Sequence, residues 1–437
     1  MHWVFFGNDS ANTRGDKSEE LLLSGSSPSN PRRKKDGVRL SQVYEICISY
    51  QSVHNCMDIG NQISPSLPLQ KGGIPPLWKR GATYLREAAS AKAGGRFSQQ
   101  YVFSIMDSLV IERTMKCTEP LVSVVIPTRN RPYLVARAVH SALTQSLVEI
   151  EVIVVIDGPD EMTLHILDQI DDHRLRVSML PRHLGLSDAR NGGVREARSQ
   201  WIAFLDDDDE WLPQKLEIQL QTAKQSAYDN PIISCRIIAR TPAGDFFWPL
   251  RFPRPNELLS EYLICRRNPI SGEGLISPST ILTKKELLRR VPFKSDLWCY
   301  EDVDWLLRTS TQEGVGVEFV ARFEPLTICH MEEDHNRIST GIDWNDSLSW
   351  IKASRHLVTP RAYASFLMTR PALFASRQGD WKAFLPLLYE AYRYYRPGIL
   401  DVLPFLGIWL IPQKAKRLIA TFLARRSRNV MLKKGSR

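Results

Sequence analysis

Short apolar stretches alternate with amphipathic stretches between residues 121 and 225. Apolar stretches of this length, rich in β-branched residues and bounded by turn residues, are typical of strands buried on both faces of a parallel sheet. The pattern predicts four such strands: LVSVVIP (121–127), EIEVIVVIDG (149–158), LRVSML (175–180) and WIAFL (201–205).

The segments between these strands carry apolar residues at helical spacing. Ser187 is the expected N-cap of one of these helices, and Pro213 is expected to open another. The predicted helices cover 134–143, 160–170, 186–198 and a segment that begins at Pro213. Strands and helices that alternate in this way predict βαβ units, and therefore an α/β fold with helices on both faces of the sheet.

Residues 1–115 show neither strand nor helix periodicity and are rich in Ser, Pro, Gly and Lys/Arg. A segment of this composition buries too little apolar surface to offset its chain entropy. We expect it to be low-complexity and disordered, or to be upstream sequence attached by a start site assigned too early. In the second case Met106 and Met115 are the alternative starts. The α/β domain is expected to cover 116–340.

Residues 341–437 have a helical pattern, with segments at 346–358, 361–376, 380–395 and 398–425. The stretch LPFLGIWLIP (403–412) is too short to cross a bilayer, and LARRSR follows it. Two interpretations remain open for this region. It packs as a helical cap on the α/β domain, or it lies on an anionic membrane surface.

Composition excludes few functions. Lys+Arg 57 against Asp+Glu 48 gives a net charge of +9 over 437 residues, which selects no partner, and we expect no nucleic acid. The seven cysteines contain no C-x-x-C pair, so we expect free thiols in a reducing compartment rather than disulfides or a cysteine zinc site. The expected location is the cytoplasm, with the inner face of the membrane as a further option.

Four consecutive aspartates (206–209) follow the strand WIAFL. Two carboxylates about 4 Å apart repel by ~4 kcal/mol at an effective dielectric near 20. Solvent, protonation or a cation can relieve that repulsion, so a solvated acidic turn is the simpler alternative. Oxygen ligands favour Mg²⁺ or Mn²⁺, which can hold a diphosphate and neutralise its charge as it leaves.

Other polar groups also follow predicted strands, namely Thr128-Arg129-Asn130 and Asp157. In open α/β sheets ligands lie beyond the carboxyl ends of the strands. We therefore expect these residues and the aspartates to converge at one edge of the sheet.

Five segments in order resemble the family 2 glycosyltransferases of the GT-A fold: SVVIPTRNRP, VVIDG, ARNGGV, FLDDDDEWLPQKLE and YEDVDWLLR. The resemblance runs from about residue 121 to about 335. It implies a Rossmann-like mixed sheet with flanking helices. It also implies inverting transfer of one sugar from a nucleotide-diphospho-sugar to an acceptor hydroxyl, with Mn²⁺ or Mg²⁺. The acceptor would be a saccharide, a lipid-linked molecule or another hydroxyl compound, as in polysaccharide biosynthesis for the cell envelope.

The resemblance also implies roles for individual residues. Asp302, beside Glu301, would be the catalytic base, and Asp208 would bind the metal, with Asp209 as an alternative because the register is ambiguous by one. His330 or His335 would reach the metal or the diphosphate. The residues implied on the donor side are Pro127, Thr128, Asn130, Asp157, Arg190, Asn191 and Asp206, the last also at the metal.

The sequence departs from the family at two places. Ile156 and Pro159 flank the Asp157-Gly158 pair, where the family has a second acid and a serine, so the base of the nucleotide is left open. Residues 290–293 (RVPF) replace the family's Gly-Gly-Phe on the acceptor side.

The first loop argues against two other enzyme classes. A nucleotidyltransferase would need a glycine-rich first loop, and a dehydrogenase would need G-x-G-x-x-G; PTRNRP is neither. A catalytically silent protein that binds sugar nucleotides is the alternative outside the enzymes.

Overall fold

The structure, a computed structural model, describes residues 119–242, 244–267, 273–321, 324–331 and 342–412, together with residue 415. The expectations for 1–115, including the alternative starts, fall outside these residues. So do His335 and both predicted domain boundaries, which remain predictions.

Eleven strands lie in the described part of the chain. They are β1 Val122–Thr128, β2 Ile150–Ile156, β3 Leu175–Met179, β4 Trp201–Phe204, β5 Asp209–Trp211, β6 Asn230–Ser234, β7 Arg236–Thr241, β8 Gly244–Trp248, β9 Leu282–Lys284, β10 Val315–Phe319 and β11 Pro325–His330.

Seven of these strands form a mixed sheet in the order β10-β6-β9-β4-β1-β2-β3. β1 is parallel to β2 and β4, and β2 is parallel to β3, as the four predicted strands require. β9 runs antiparallel between β4 and β6. A second sheet, in the order β5-β11-β7-β8, was not predicted. The fold is the expected α/β fold of the GT-A type.

The helices of the described residues are α1 Pro132–Leu143, α2 Glu161–Leu167, α3 Leu186–Glu196, α4 Lys215–Gln225, α5 Leu259–Ile264, α6 Lys285–Arg290, α7 Glu301–Thr309, α8 Trp344–Ala353, α9 Pro360–Leu367, α10 Arg370–Gln378, α11 Phe384–Tyr394 and α12 Ile399–Leu410. Short 3₁₀ turns lie at Pro278–Thr280, Arg355–Leu357 and Trp381–Ala383.

Three predicted helix details are wrong. Pro213 lies in the turn before α4, which begins at Lys215, so it does not open that helix. Gly185, with φ 97°, precedes the first residue of α3, so Ser187 lies inside the first turn and is not the N-cap. The predicted helix at 361–376 is two helices, α9 and α10. Pro371 lies in the first turn of α10, where a proline needs no hydrogen bond from its nitrogen.

The main sheet is buried on both faces because side chains of β1 alternate between two cores. Val122, Val124 and Ile126 pack with α1 and α4 on one face. Val125 packs on the other face with α3 and α7. α3 crosses β1 closely, since a Cβ at Gly193 would lie 2.4 Å from Val125 Cγ1.

The C-terminal helices α8–α12 pack on that second face. Trp350, Phe366 and Phe405 belong to the same buried core as Phe204 of β4 and Val303 of α7. In the residues that the structure describes, no helix is long and apolar enough to cross a membrane.

Candidate functional site

The polar groups that follow β1, β2 and β4 meet at one edge of the main sheet, as expected. The Asp157 amide donates to the Thr128 carbonyl at 2.9 Å, and the Thr128 hydroxyl donates to Asp207 Oδ2 at 2.8 Å. Pro127 and Thr128 are both buried at the end of β1. The carboxyl ends of these three strands therefore form one continuous polar surface.

The four aspartates alternate in exposure. The side chains of Asp206 and Asp208 are 26% and 22% exposed, whereas that of Asp207 is 8% exposed. Asp209 is buried at the start of β5. Asp206 and Asp208 are therefore the two members of this segment that solvent or a ligand can reach.

The buried aspartates have altered acidity. Burial raises the pKa of Asp207 to about 6, although Arg131 opposes this by donating to its Oδ1 at 2.9 Å. Burial also raises the pKa of Asp209 well above its usual range, and the neighbouring charges of Asp208 and Asp206 raise it further. Burial and the neighbouring carboxylates thus make both buried aspartates weaker acids than an exposed aspartate.

Arg190 of α3 joins the two acidic parts of the site. Its guanidinium is 1% exposed, and it donates to Asp206 Oδ1 at 2.7 Å and to Glu301 Oε1 at 2.9 Å. The ring of Phe293 lies 5.5 Å from its Cζ. The Asp206 carboxylate and the acidic pair at the start of α7 are consequently held on either side of one buried cation.

Glu301 and Asp302 are the first two residues of α7. The helix dipole favours ionised carboxylates at this position, but burial acts in the opposite direction and is larger. Burial raises the pKa of Glu301 to about 7, although Arg190 opposes it. Burial raises the pKa of the half-buried Asp302 as well. Both carboxyls at the start of α7 therefore have raised pKa values.

Tyr300 fixes the entry into α7 and was not predicted. Its φ of 62° is in the left-handed region, which is unfavourable for a bulky residue. Its hydroxyl lies 2.9 Å from Ser347 Oγ, and its ring stacks on Trp350 at 4.7 Å. Both partners belong to α8, so a C-terminal helix holds the residue that precedes the acidic pair.

Asp157 holds a loop in this structure. Its carboxylate accepts from the Leu184 and Gly185 amides at 2.7 and 3.0 Å and lies 2.6 Å from His183 Nδ1. Gly158 makes the approach of that loop possible, since a Cβ there would lie 2.8 Å from the His183 amide nitrogen. A direct contact between Asp157 and a nucleotide base stays a prediction.

The two asparagines differ in their surroundings. Asn130 is exposed, with φ 53°, and its backbone N–H donates to Asp160 Oδ2 at 2.7 Å. Asn191 binds the backbone of Phe293 through two reciprocal hydrogen bonds of 2.8 and 3.1 Å. Asn191 therefore secures the 290–293 segment that departs from the family, and its contact with a donor also stays a prediction.

The partly exposed carboxylates of Asp206 and Asp208 lie at the expected metal position. Within the described residues no three His, Cys, Asp or Glu side chains are grouped closely enough to hold a metal ion. Mg²⁺ in nucleotide sites often takes only one or two carboxylates from the protein and completes its shell with phosphate and water. Asp208 and Asp206 fit that requirement. His330 is buried, with Nε2 2.6 Å from Glu210 Oε1.

Asp304, the third acid of α7, has a structural role. It is fully buried and forms ion pairs with Lys294 at 3.0 Å and Arg308 at 2.5 Å.

Arg131 belongs to the site, because it lies 3.6 Å from Asp208 as well as contacting Asp207. Its position in PTRNRP, directly after a strand end, was the signal that could have identified it.

The chain is similar in sequence to known glycosyltransferases. The sequence profile described as "Glycosyl transferase family 2" matches residues 123–291. TuaG of Bacillus subtilis, assigned as a teichuronic acid biosynthesis glycosyltransferase, is 40% identical over 105 residues, which are 24% of this chain and 42% of TuaG. The Campylobacter jejuni GalNAc(5)-diNAcBac-PP-undecaprenol beta-1,3-glucosyltransferase is 31% identical over 190 residues, 43% of this chain and 59% of the enzyme.

A crystal structure of S. aureus TarS in complex with UDP-GlcNAc is 16% identical, with a TM-score of 0.39, over 70% of this chain and 91% of the other. The chain spans less than two thirds of the length of both curated relatives. The match over 123–291 contains the strand-end residues, Arg190 and the four aspartates, and confirms the resemblance found in the sequence. Residues 123–291 thus form a region that matches glycosyltransferase family 2.

Proposed function

We propose that this chain transfers one sugar from a nucleotide-diphospho-sugar to an acceptor hydroxyl, with inversion at the anomeric carbon. The observation that carries the proposal is the position of Arg190 between Asp206 and Glu301. Asp206 belongs to the segment proposed for the donor diphosphate, and Glu301 precedes the proposed base. A single guanidinium thus keeps the donor side and the acceptor side adjacent.

Asp302 acts as the general base in this proposal. Its carboxylate takes the proton of the acceptor hydroxyl while the acceptor oxygen forms a bond to the anomeric carbon. The bond from that carbon to the diphosphate breaks, and its electron pair leaves with the nucleoside diphosphate. Burial raises the pKa of Asp302. A carboxylate with a raised pKa takes a proton from an alcohol more readily than an ordinary aspartate does.

Asp208, with Asp206, is proposed to hold Mn²⁺ or Mg²⁺, which supplies positive charge to the leaving diphosphate. His330 belongs to the same proposal as a group near the metal or the diphosphate. The donor pocket is proposed to be formed by five further residues: Pro127, Thr128, Asn130, Asp157 and Asn191.

The relatives suggest the class of acceptor. The Campylobacter jejuni relative is a glucosyltransferase for GalNAc(5)-diNAcBac-PP-undecaprenol, and TuaG is assigned to teichuronic acid biosynthesis. We therefore propose a saccharide acceptor, free or lipid-linked, in polysaccharide biosynthesis. Contact between the C-terminal helices and a membrane would bring a lipid-linked acceptor within reach.

The test uses the full-length protein and a panel of nucleotide-sugars, with and without Mn²⁺. We expect one donor to raise the melting temperature, and we expect slow release of nucleoside diphosphate that a saccharide acceptor accelerates. Binding without any turnover would instead identify a silent sugar-nucleotide-binding protein. Release of inorganic diphosphate from a nucleoside triphosphate would identify a nucleotidyltransferase.

A further inference from the structure

The last helix of the described region, α12, is apolar on both sides. Phe405, Ile408 and Trp409 are buried against the rest of the protein. The opposite side carries Ile399, Leu403 and Leu410, which are 71%, 58% and 67% exposed. Because their spacing of four and seven residues places them in one row along the helix, the exposed row is a continuous apolar surface.

The neighbouring helix α11 carries a matching row. Leu385, Tyr389 and Tyr392 recur at helical spacing and are 69%, 70% and 46% exposed. Trp381, just before α11, is 56% exposed, and its ring lies 5.1 Å from that of Trp409 on α12. The two rows therefore lie on adjacent helices. We call them the apolar face: Trp381, Leu385, Tyr389, Tyr392, Ile399, Leu403 and Leu410.

Large exposed apolar patches mark interaction sites, and the charges around this one indicate its partner. Lys382, Arg393 and Arg396 are exposed beside it. The acids of the same two helices are fewer than these cations: Asp401 is buried and accepts from the Ser365 hydroxyl, and Glu390 accepts from the Tyr363 hydroxyl. The sequence that follows, 413–437, contains nine Lys or Arg and no Asp or Glu.

We propose that the apolar face docks on the surface of an anionic phospholipid bilayer, with α12 parallel to the membrane plane. Trp and Tyr are the side chains that favour the boundary between lipid and water, and clustered Lys and Arg are attracted to anionic headgroups. The 12 residues of α12 extend only about 18 Å, so this helix cannot span the ~30 Å hydrocarbon layer and can only lie on it.

A second copy of the chain fits this surface less well. A twofold interface sets the same patch against itself, so the cations beside the apolar face would lie opposite one another. An anionic bilayer neutralises those charges instead.

The test is flotation of the full-length protein with vesicles of phosphatidylcholine alone and of phosphatidylcholine with phosphatidylglycerol. We expect binding to the anionic vesicles, weakened by salt. A triple variant, Ile399→Ser, Leu403→Ser and Leu410→Ser, should bind about tenfold less or weaker still, since three side chains no longer enter the lipid. Met162→Ser, at a 54% exposed position on α2, is the matched control and should bind like the wild type.

A second variant, Leu385→Ser with Tyr389→Ser, tests the same face from α11 and should also lose vesicle binding. Melting curves check that both variants fold. The proposal is overturned if the wild type stays unbound to anionic vesicles at low salt, or if folded variants bind as well as the wild type. It is also overturned if light scattering shows a dimer that the triple variant dissociates while no vesicles are bound.

Discussion

Arg190 and Glu301 are 111 residues apart in the chain, and Arg190 Nη1 lies 2.9 Å from Glu301 Oε1. Both groups are buried, and the same guanidinium contacts Asp206. Removing one partner of a buried ion pair leaves an uncompensated charge, which costs about 3–5 kcal/mol. We expect Arg190→Met to lower the free energy of unfolding by about that amount and to abolish transfer.

Arg195→Met is the control for this prediction, because Arg195 lies on the same helix and is exposed. It should change neither quantity. Arg190 lowers the pKa of Glu301 in the wild type, so its loss should raise that pKa above about 7. Urea unfolding curves between pH 5 and 8 measure the effect, and equal stabilities of the two variants would contradict it.

Asp302→Asn is expected to lower the rate of transfer by 10²-fold or more, on the order of what a general base contributes. Donor affinity should stay within about twofold, because Asp302 faces the acceptor in the proposal. Asp304→Asn removes an acid two residues on that contacts Lys294 and Arg308, and it should reduce stability rather than the catalytic step. Unchanged turnover in Asp302→Asn would remove this residue from the role of base.

Asp208→Asn tests the metal position. The Asp208 side chain is partly exposed and forms only a 3.6 Å contact with Arg131, so a cation could also reach its carboxylate. We expect Mn²⁺-dependent donor affinity to fall about tenfold or more, with little change in melting temperature. Asp207→Asn should instead lower the melting temperature and leave Mn²⁺-dependent donor affinity nearly unchanged. Asp207 is buried and accepts hydrogen bonds from Thr128 and Arg131. Calorimetric titration of the donor with and without Mn²⁺ distinguishes the two, and identical results for both variants would refute the assignment.

Tyr300→Phe removes only the hydroxyl that contacts Ser347 on α8. We expect it to lower kcat severalfold while KM for the donor is unchanged, because the residue sets the position of Glu301 and Asp302 through the backbone. Ser347→Ala should have a similar effect, and the double variant should cost no more than either alone. Additive losses in this double-mutant cycle would show that the hydrogen bond does not couple the two residues.

Lys215 offers a test that is independent of catalysis. Burial lowers the pKa of Lys215 to about 8, and its Nζ lies 3.9 Å from the centre of the Trp211 ring. The unfolded chain would keep this lysine protonated up to about pH 10.4, so it binds more protons between those values and stability rises with pH there.

Lys215→Met should remove that rise, which amounts to on the order of 3 kcal/mol. Lys224→Met, at an exposed position on the same helix, should preserve it. Unfolding free energies measured from pH 7.5 to 10.5 provide the comparison, and parallel curves for wild type and Lys215→Met would show that the lysine is not buried as described.

Local pattern predicted the elements that carry the donor side. Continuous apolar segments predicted β1, β2 and β4, and apolar stripes at helical spacing predicted the helices between them. These patterns were sufficient because each lies within one short window of sequence. The β5–β11 pair could not be predicted in this way, since Asp209 pairs with Cys329 far along the chain.

The roles of Arg190 and Asn191 show a second limit. Both were identified as donor-side residues by resemblance, but Asn191 binds the Phe293 backbone and Arg190 binds an acid at the other end of the domain. A backbone partner leaves no residue type to recognise, and an ion pair across 111 positions has no local period. Such contacts emerge only once the helices are packed.

The shared core of the C-terminal helices and the main sheet limits how this protein can be rebuilt. Trp350 stacks on Tyr300, directly before Glu301. A chimera that takes its last hundred residues from a relative would therefore replace Trp350 but keep Tyr300, and so would change the packing next to Glu301 along with any acceptor preference. We expect such chimeras to work only when Tyr300 and Trp350 come from the same protein.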